Sequence, residues 1–265
     1  MSEIKTKKVI KKKLKISGLL FLLVFIIAIT FCFYHVFNLP IKHIYITGNN
    51  NISDNEIINV ASIKYYPPIF KVNKKDMRES IMSLPLVKDV SVKKSIFGTL
   101  EINIEEYKIL FLNKSTNELV LSNNKSIENN YTYTRVPTLI NHVPDTIYEE
   151  LITGLATIDY DILTSISEIE YSKATNKDNE VIDEKRFILR MNDGNTVIMN
   201  TVNIKRLNSY NTIYSSLSDE LGTIYLDSIA EENIYFKSYA LEEQEKMEEE
   251  KKNEEELPNN NGRNP

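Results

Sequence analysis

The chain has 265 residues, a formal net charge of -5 at pH 7 and one cysteine. Setting aside an apolar N-terminal run and a charged C-terminal tail leaves about 200 residues, enough for one large or two small domains. This middle part is mildly acidic, which argues against nucleic-acid binding. Cys32 lies inside the apolar run, so the domains hold no disulfide and depend on burial of apolar side chains.

The apolar run Ile16–Phe37 contains no Asp, Glu, Lys or Arg. A helix of this length extends about 33 Å, enough to cross a hydrocarbon core of about 30 Å. Seven lysines and one glutamate precede it in residues 1–15, so the positive-inside rule predicts a cytoplasmic N-terminus and an extracellular C-terminus. A cleaved signal peptide is the alternative. However, the run is longer than a signal peptide needs and no small-residue cleavage site follows it, which favours a retained single-pass anchor in the cell membrane.

The next segment begins with a predicted strand and a capped helix. Residues 41–47 alternate in a pattern typical of a strand, and Gly48 and the asparagines after it end that strand. Ser53 and Glu56 are spaced as a capping box, which predicts a short helix to about Ser62.

A second helix and two strands complete this segment. Asn73 is placed to cap a helix over Lys74–Met82. Residues 87–92 and 100–106 are predicted strands, and the second alternates apolar with polar side chains. The order strand, helix, helix, strand, strand predicts an α+β layer over residues 41–106, with two helices on one face of a three-stranded sheet.

This segment resembles a POTRA domain of the FtsQ/DivIB family of bacterial cell-division proteins. The stretches IYITGNNNISDNEI and SLPLVKDVSVKKSIFGTLEINIEE carry the resemblance, together with the single membrane helix before them. Two features depart from the family pattern. Phe97 and Gly98 stand where the family often has proline, and no Glu-x-x-Pro follows the last strand. The resemblance implies a POTRA domain over residues 41–106 and a β domain over residues 107–236.

The second domain is predicted to be a mixed sheet with flanking helices. The predicted helices begin near Asp145 and Ile204, and residues 173–183 are a predicted polar loop. The predicted strands cover residues 108–112, 118–122, 136–139, 166–171, 186–191, 196–200, 223–227 and 233–236. The whole chain is therefore predicted to be α+β, with a transmembrane helix, a POTRA-like domain and a second mixed-sheet domain.

The clearest hairpin in the sequence joins residues 186–191 to residues 196–200. Asp193 and Gly194 suit a type I′ turn, in which both central residues need positive φ. That turn would place Leu189 opposite Ile198.

Residues 237–265 are rich in Glu and Lys and then in Asn and Pro. They hold too few apolar side chains to offset the entropy of ordering, which predicts a solvated, disordered tail. A transient helix supported by Glu–Lys pairs is the alternative.

No pattern in the sequence indicates catalysis or a cofactor. The seven glycines are too far apart for a phosphate-binding loop. The three histidines lack the spacing of zinc ligands: His35, His43 and His142. The acid pairs Asp159/Asp161 and Asp183/Glu184 are open to two interpretations, a glycosidase pair or solvated surface. We therefore expect no catalytic, cofactor-binding or metal-binding residues.

Two loop segments contain aromatic clusters, YYPP at residues 65–68 and YTY at residues 131–133. Tyrosine supplies contact area at low entropic cost, so these segments are candidate contact surfaces. Packing over the edge of a small core is the other interpretation.

The resemblance implies a non-enzymatic, membrane-anchored divisome protein that scaffolds septal proteins at the division septum. It implies FtsB/DivIC-like and FtsL-like bitopic partners and, through them, the peptidoglycan synthase complex. Two other function classes remain open: an anchored peptidoglycan hydrolase that uses a carboxylate pair, and an anchored sensor that signals through residues 1–15.

Residues 233–236 form the last predicted strand, and only the charged tail follows them. An uncovered edge strand presents unpaired backbone groups, to which a partner can add a strand. The resembled family docks its small bitopic partners at the far end of the second domain. We expect Tyr235 to point outward and Phe236 inward. The candidate partner-binding residues are Tyr225, Leu226, Ile234, Tyr235 and Phe236.

Overall fold

The structure is a computed structural model that describes residues 16–129, 135–217, 220–228 and 234–256. The chain divides into two compact units between Glu106 and Tyr107. Two segments named in the sequence analysis lie outside the described residues: the predicted cytoplasmic segment, residues 1–15, and the YTY cluster at residues 131–133.

Helix α1 spans Ile16–Phe37, and none of its side chains is buried. Among the described residues it is the one helix long and apolar enough to cross a membrane. Its apolar side chains are distributed all around its axis, which suits contact with lipid on every side.

The rest of the first unit is a three-stranded sheet covered by two helices. The strands are ordered β1–β3–β2, with β1 parallel to β3 and β2 antiparallel to it. The elements are β1 (His43–Thr47), α2 (Asp54–Val60), a 3-10 turn (Ile69–Lys71), α3 (Lys74–Met82), β2 (Val87–Lys94) and β3 (Thr99–Glu106). The predicted α+β layer is therefore confirmed.

Period-two alternation in β3 separates the core of this unit from its open sheet face. Leu100, Ile102 and Ile104 are at most 2% exposed, whereas the alternate residues are polar. From the helices, Ile57 and Ile81 are also fully buried. The apolar side chains of α2 and α3 therefore cover one face of the sheet and leave the other face open.

Local signals in the sequence set the start of α2 and the conformation of the loop before it. The Ser53 hydroxyl accepts the backbone N–H of Glu56 at 3.2 Å, as a helix N-cap does. Gly48 has φ +82°, and a Cβ there would lie 2.0 Å from the Ile104 carbonyl oxygen. Only glycine fits this close approach between the loop and β3.

The second unit is built on a nine-stranded mixed sheet. Its strands are ordered β14–β13–β12–β11–β8–β7–β4–β5–β6. They are β4 (Ile109–Asn113), β5 (Glu118–Leu121), β6 (Ser126–Glu128), β7 (Thr138–Leu139), β8 (Ile166–Tyr171), β11 (Arg186–Met191), β12 (Thr196–Asn200), β13 (Gly222–Tyr225) and β14 (Tyr235–Ser238). The predicted mixed sheet with flanking helices is confirmed.

The segment predicted as a polar loop at residues 173–183 instead contains a separate two-stranded ribbon, β9 (Ala174–Thr175) and β10 (Val181–Asp183). Asn176 closes the turn between them, because its side-chain oxygen accepts the N–H groups of Asp178 and Glu180 at 2.9 Å. The sequence did not predict this pairing, because β9 and β10 are too short to show an alternating apolar pattern and the residues around them are polar.

Helices α4 (Asp145–Leu155), α5 (Tyr160–Ser165) and α6 (Tyr210–Tyr214) supply buried side chains to the core of the second unit. The single helix expected from residue 204 is instead a 3-10 turn, Ile204–Ser209, followed by α6. Ile204, Leu207 and Tyr210 are buried as the apolar pattern predicted, but Tyr214 of the same predicted face is exposed and Ile213 is buried in its place.

The hairpin β11–β12 has the predicted strands, but its predicted turn and register are wrong. Only Gly194 has positive φ, at +97°, because the Asp193 carboxylate accepts the N–H of Asn195 at 2.9 Å and holds a different turn. The pairing therefore shifts by one residue, and Leu189 lies opposite Val197.

The expectation of a disordered tail from residue 237 is also wrong for the described part. Strand β14 runs to Ser238, and helix α7 spans Tyr239–Glu256. Tertiary contacts hold the start of α7. Lys237 forms an ion pair with Glu245, and the Tyr239 hydroxyl lies 2.8 Å from that of Thr196.

Candidate partner-binding edge

Strand β14 is one edge of the nine-stranded sheet. It pairs with β13 in antiparallel register, with Tyr235 opposite Tyr225 and Phe236 opposite Ile224. Within the described ranges, no strand pairs with the other side of β14. The predicted last strand is therefore an edge strand that is displaced toward the C-terminus by two residues.

The direction of the backbone groups follows from one hydrogen bond. The Tyr239 N–H donates to the Leu221 carbonyl at 3.0 Å, so these two residues oppose each other as a hydrogen-bonded pair. Hydrogen-bonded and non-hydrogen-bonded pairs alternate along an antiparallel ladder. The peptide groups of Tyr235 therefore face β13, and those of Phe236 face the open edge.

The five candidate residues divide into a surface group and a core group. Tyr235 is 55% exposed and Ile234 is 45% exposed. Phe236 is half-buried and packs against the core, and Leu226 is fully buried. Leu226 therefore belongs to the core and presents no surface to a partner.

Tyr225 and Tyr235 form a pair across the two strands. Their ring centroids are 5.5 Å apart and tilted by 46°. Burial, and then the nearby Glu242 carboxylate, raise the pKa of Tyr225. Both effects keep its hydroxyl protonated at neutral pH, so Tyr225 offers a neutral hydrogen-bond donor beside the exposed ring of Tyr235.

Helix α7 bounds this tyrosine pair on one side. The side chain of Lys237 is 19% exposed and lies on the same strand face as Tyr235, where Glu245 of α7 pairs with it. The Glu245 carboxylate raises the pKa of Lys237 and keeps it charged. The helix covers Lys237 and leaves Tyr235 exposed. One feature of the sequence favours helix α7, because Glu242 stands four residues before Lys246 and this order of charges stabilises a helix.

One carboxylate in each of the acid pairs considered as glycosidase carboxylates has a structural partner. Asp183 accepts the N–H of Lys185 at 2.8 Å and the Asn200 amide at 3.1 Å. Asp161 accepts the Asn211 amide at 3.3 Å. In the part of the chain that the structure describes, no group of three or more His, Cys, Asp or Glu side chains is placed to hold a metal ion.

Comparisons with known proteins relate the sequence of this chain to cell-division proteins. Residues 39–107 match the family model of the FtsQ-type POTRA domain. The cell division protein DivIB of Bacillus subtilis (strain 168) is 31% identical over 213 residues, which is 77% of this chain and 76% of that protein. DivIB of Bacillus anthracis is 28% identical over 244 residues, which is 89% of this chain and 88% of that protein.

A solved structure of the major extracytoplasmic domain of DivIB from Geobacillus stearothermophilus is also similar to part of the chain. The match covers 43% of this chain and 95% of that chain, with 21% identity and a TM-score of 0.34.

Proposed function

The chain belongs to the DivIB family of cell-division proteins, and we propose that it acts as a non-enzymatic scaffold that α1 anchors in the cell membrane at the division septum. Family membership makes it a membrane-associated division protein. The lysines of residues 1–15 favour a cytoplasmic N-terminus, with both folded units on the opposite side of the membrane. Anchoring restricts the search for partners to the membrane plane and raises their effective concentration.

The partners that fit this role are FtsB/DivIC-like and FtsL-like bitopic proteins and, through them, the peptidoglycan synthase complex. We place their docking on β14 because it is an edge strand with outward-facing peptide groups at Phe236 and an exposed aromatic side chain at Tyr235. An incoming strand would gain main-chain hydrogen bonds along this edge, and Tyr235 and Tyr225 would supply a side-chain contact. The open edge of β14 is the observation that carries the proposal.

A substitution at Tyr235 tests the side-chain contribution. An aromatic anchor at the centre of an interface typically contributes about 2 kcal/mol or more, so Tyr235→Ala should weaken partner binding by at least about thirtyfold. Tyr160→Ala is the matched control, because Tyr160 lies in the same unit and is 54% exposed. Binding is measured with the full chain in lipid nanodiscs and the purified partner ectodomain.

Phe236→Ala completes the experiment, because it removes a side chain that packs against the core. It should lower the melting temperature, whereas Tyr235→Ala should leave it nearly unchanged. The proposed site is wrong if Tyr235→Ala unfolds the second unit, or if partner binding survives deletion of residues 233–265. A full-length fluorescent fusion that labels the whole envelope evenly, without a ring at midcell, would contradict the septal role itself.

A further inference from the structure

Large apolar side chains are exposed on two loops of the first unit. Tyr65 and Tyr66 are 88% and 53% exposed, and Ile96 and Phe97 at the β2–β3 turn are 64% and 73% exposed. Between residues 38 and 106, all of which the structure describes, Tyr45 is the one other large apolar side chain that is exposed. A cluster of exposed apolar side chains on a folded protein is typical of a surface that binds another protein or a membrane.

The first of these loops is attached to the short segment that leaves α1. The Ile69 N–H donates to the Leu39 carbonyl at 2.9 Å, and the Ile41 N–H donates to the Pro67 carbonyl at 3.1 Å. Leu39 is two residues beyond the last residue of α1, which is at most about 7 Å of extended chain.

The second loop is attached to the same segment. The Lys42 N–H donates to the Gly98 carbonyl at 2.7 Å, and Lys42 lies within about 18 Å of extended chain from the end of α1. The side chain of Lys94 joins the two loops, because its Nζ donates to the carbonyls of Ile69 at 3.2 Å and Val72 at 2.7 Å. Both exposed loops therefore lie close to the point where α1 leaves the hydrocarbon.

The segments that carry the two loops, residues 38–42, 61–72 and 93–99, contain no Asp or Glu. Two acids on neighbouring elements lie beside them: Asp76 lines a cavity with Lys71, and Glu101 lies opposite Lys93. The segments themselves contain five lysines, which are Lys42, Lys64, Lys71, Lys93 and Lys94. Lysines near a membrane surface are attracted to anionic headgroups, and aromatic rings favour the headgroup level beside them.

The shape of the first loop is held by the fold. Tyr66 has φ +51°, a backbone region that bulky side chains rarely adopt, and its N–H donates to the Ile63 carbonyl at 3.0 Å. Gly98 has φ +91° in the second loop, and both loops present aromatic and aliphatic side chains outward.

We propose that this juxtamembrane surface, defined as Tyr65, Tyr66, Ile96 and Phe97 with Lys42, Lys64 and Lys71 beside them, docks onto the anionic phospholipid leaflet at which α1 ends. The apolar tips enter the interfacial region, and the ammonium groups of these three lysines contact lipid phosphates. The contact holds the first unit against the membrane. It goes beyond the proposed partner docking, which uses β14 of the other unit.

The chain has no tryptophan, so a single Phe97→Trp substitution gives a fluorophore without background. The full chain is reconstituted in vesicles of phosphatidylcholine with about one quarter phosphatidylglycerol, some carrying bromine on the acyl chains close to the headgroups. Tyr45→Trp is the matched control, because Tyr45 is 57% exposed and lies on the open face of the sheet in β1. Tyr65→Trp reports on the other loop.

We expect brominated lipid to quench Phe97→Trp and Tyr65→Trp more strongly than Tyr45→Trp, with emission at shorter wavelength for the first two. Equal quenching of all three variants would overturn the proposal. Quenching that is unchanged in pure phosphatidylcholine would overturn the assignment of an anionic lipid. Shorter-wavelength emission without quenching, growing with the protein-to-lipid ratio, would identify a second copy of the chain as the occupant and also overturn it.

Discussion

Glu106 is expected to be the most important charged residue for the stability of the first unit. Its carboxylate accepts the backbone N–H groups of Asn50, Asn51 and Ile52, each at 3.0 Å to one of its two oxygens. It also accepts the side-chain amide of Asn51 at 2.8 Å. This single side chain therefore ties the loop after β1 to the end of β3.

The cost of Glu106→Ala follows from these contacts. Hydrogen bonds to a charged group contribute about 1.5–3 kcal/mol each when buried, and the partial exposure of this site lowers that value. Four such bonds at somewhat under 1 kcal/mol each give a destabilisation of about 3 kcal/mol. In a domain of about 65 residues this corresponds to a fall in melting temperature of more than about 10 °C.

Glu105→Ala is the matched control in the same strand. Glu105 pairs with Lys88 at the surface, where both side chains are more than half exposed, so its loss should cost less than about 1 kcal/mol. The assay is denaturant unfolding of segment 38–265, with amide exchange read over residues 41–106. The reasoning is refuted if Glu106→Ala costs no more than Glu105→Ala. The loss in free energy of unfolding for Glu106→Gln should lie between those of the two alanine variants, because the glutamine amide keeps one acceptor oxygen.

Three further predictions concern topology, domain independence and pH. A reporter fused after residue 257 should be active only outside the cytoplasm, and cytoplasmic activity would contradict the assigned orientation. An isolated fragment of residues 38–108 should unfold cooperatively, and a dispersed NMR spectrum found only in the longer chain would count against this. The hydrogen bonds of Glu150 with Lys185 and Thr201 lower the pKa of Glu150, and the bond to Glu150 raises the pKa of Lys185. Glu150→Gln should therefore destabilise the second unit at pH 7, and its difference from the unmodified protein in urea unfolding should vanish as pH falls through the lowered pKa of Glu150. A difference that persists at low pH would exclude an electrostatic origin.

Elements that rest on local signals could be predicted well. The helix Lys74–Met82 has the predicted bounds because Asn73 caps it and Pro85 lies beyond its end. Strand β8 also has its predicted bounds. In these cases residues close in sequence supply the helix cap, the residue that ends the helix or the strand alternation. The bounds of the element can therefore be predicted without knowledge of distant contacts.

Two features that rest on tertiary contacts were predicted wrongly, namely the register of the β11–β12 hairpin and the disorder expected after residue 237. The hairpin register depends on how the Asp193 carboxylate is held, and Asn195 and the Tyr210 hydroxyl both contact it. Helix α7 depends on two contacts at its start. Lys237 pairs with Glu245 two turns into the helix, and the Tyr239 hydroxyl contacts Thr196 of β12. A Glu-rich segment without a strong apolar face has little tendency of its own to order, and tertiary contacts supply the difference.

The sequence by itself determined an apolar membrane-length helix, the order of elements in the first unit and the alternation that places Tyr235 and Phe236 on opposite faces. Only the tertiary structure decided the order of the nine strands, that Leu226 is buried, and that loops near residues 65 and 97 lie beside the end of α1. The physical reason is that helix caps and strand alternation are set by neighbours in the chain. Strand order and loop proximity instead arise from pairing between residues that are far apart in sequence.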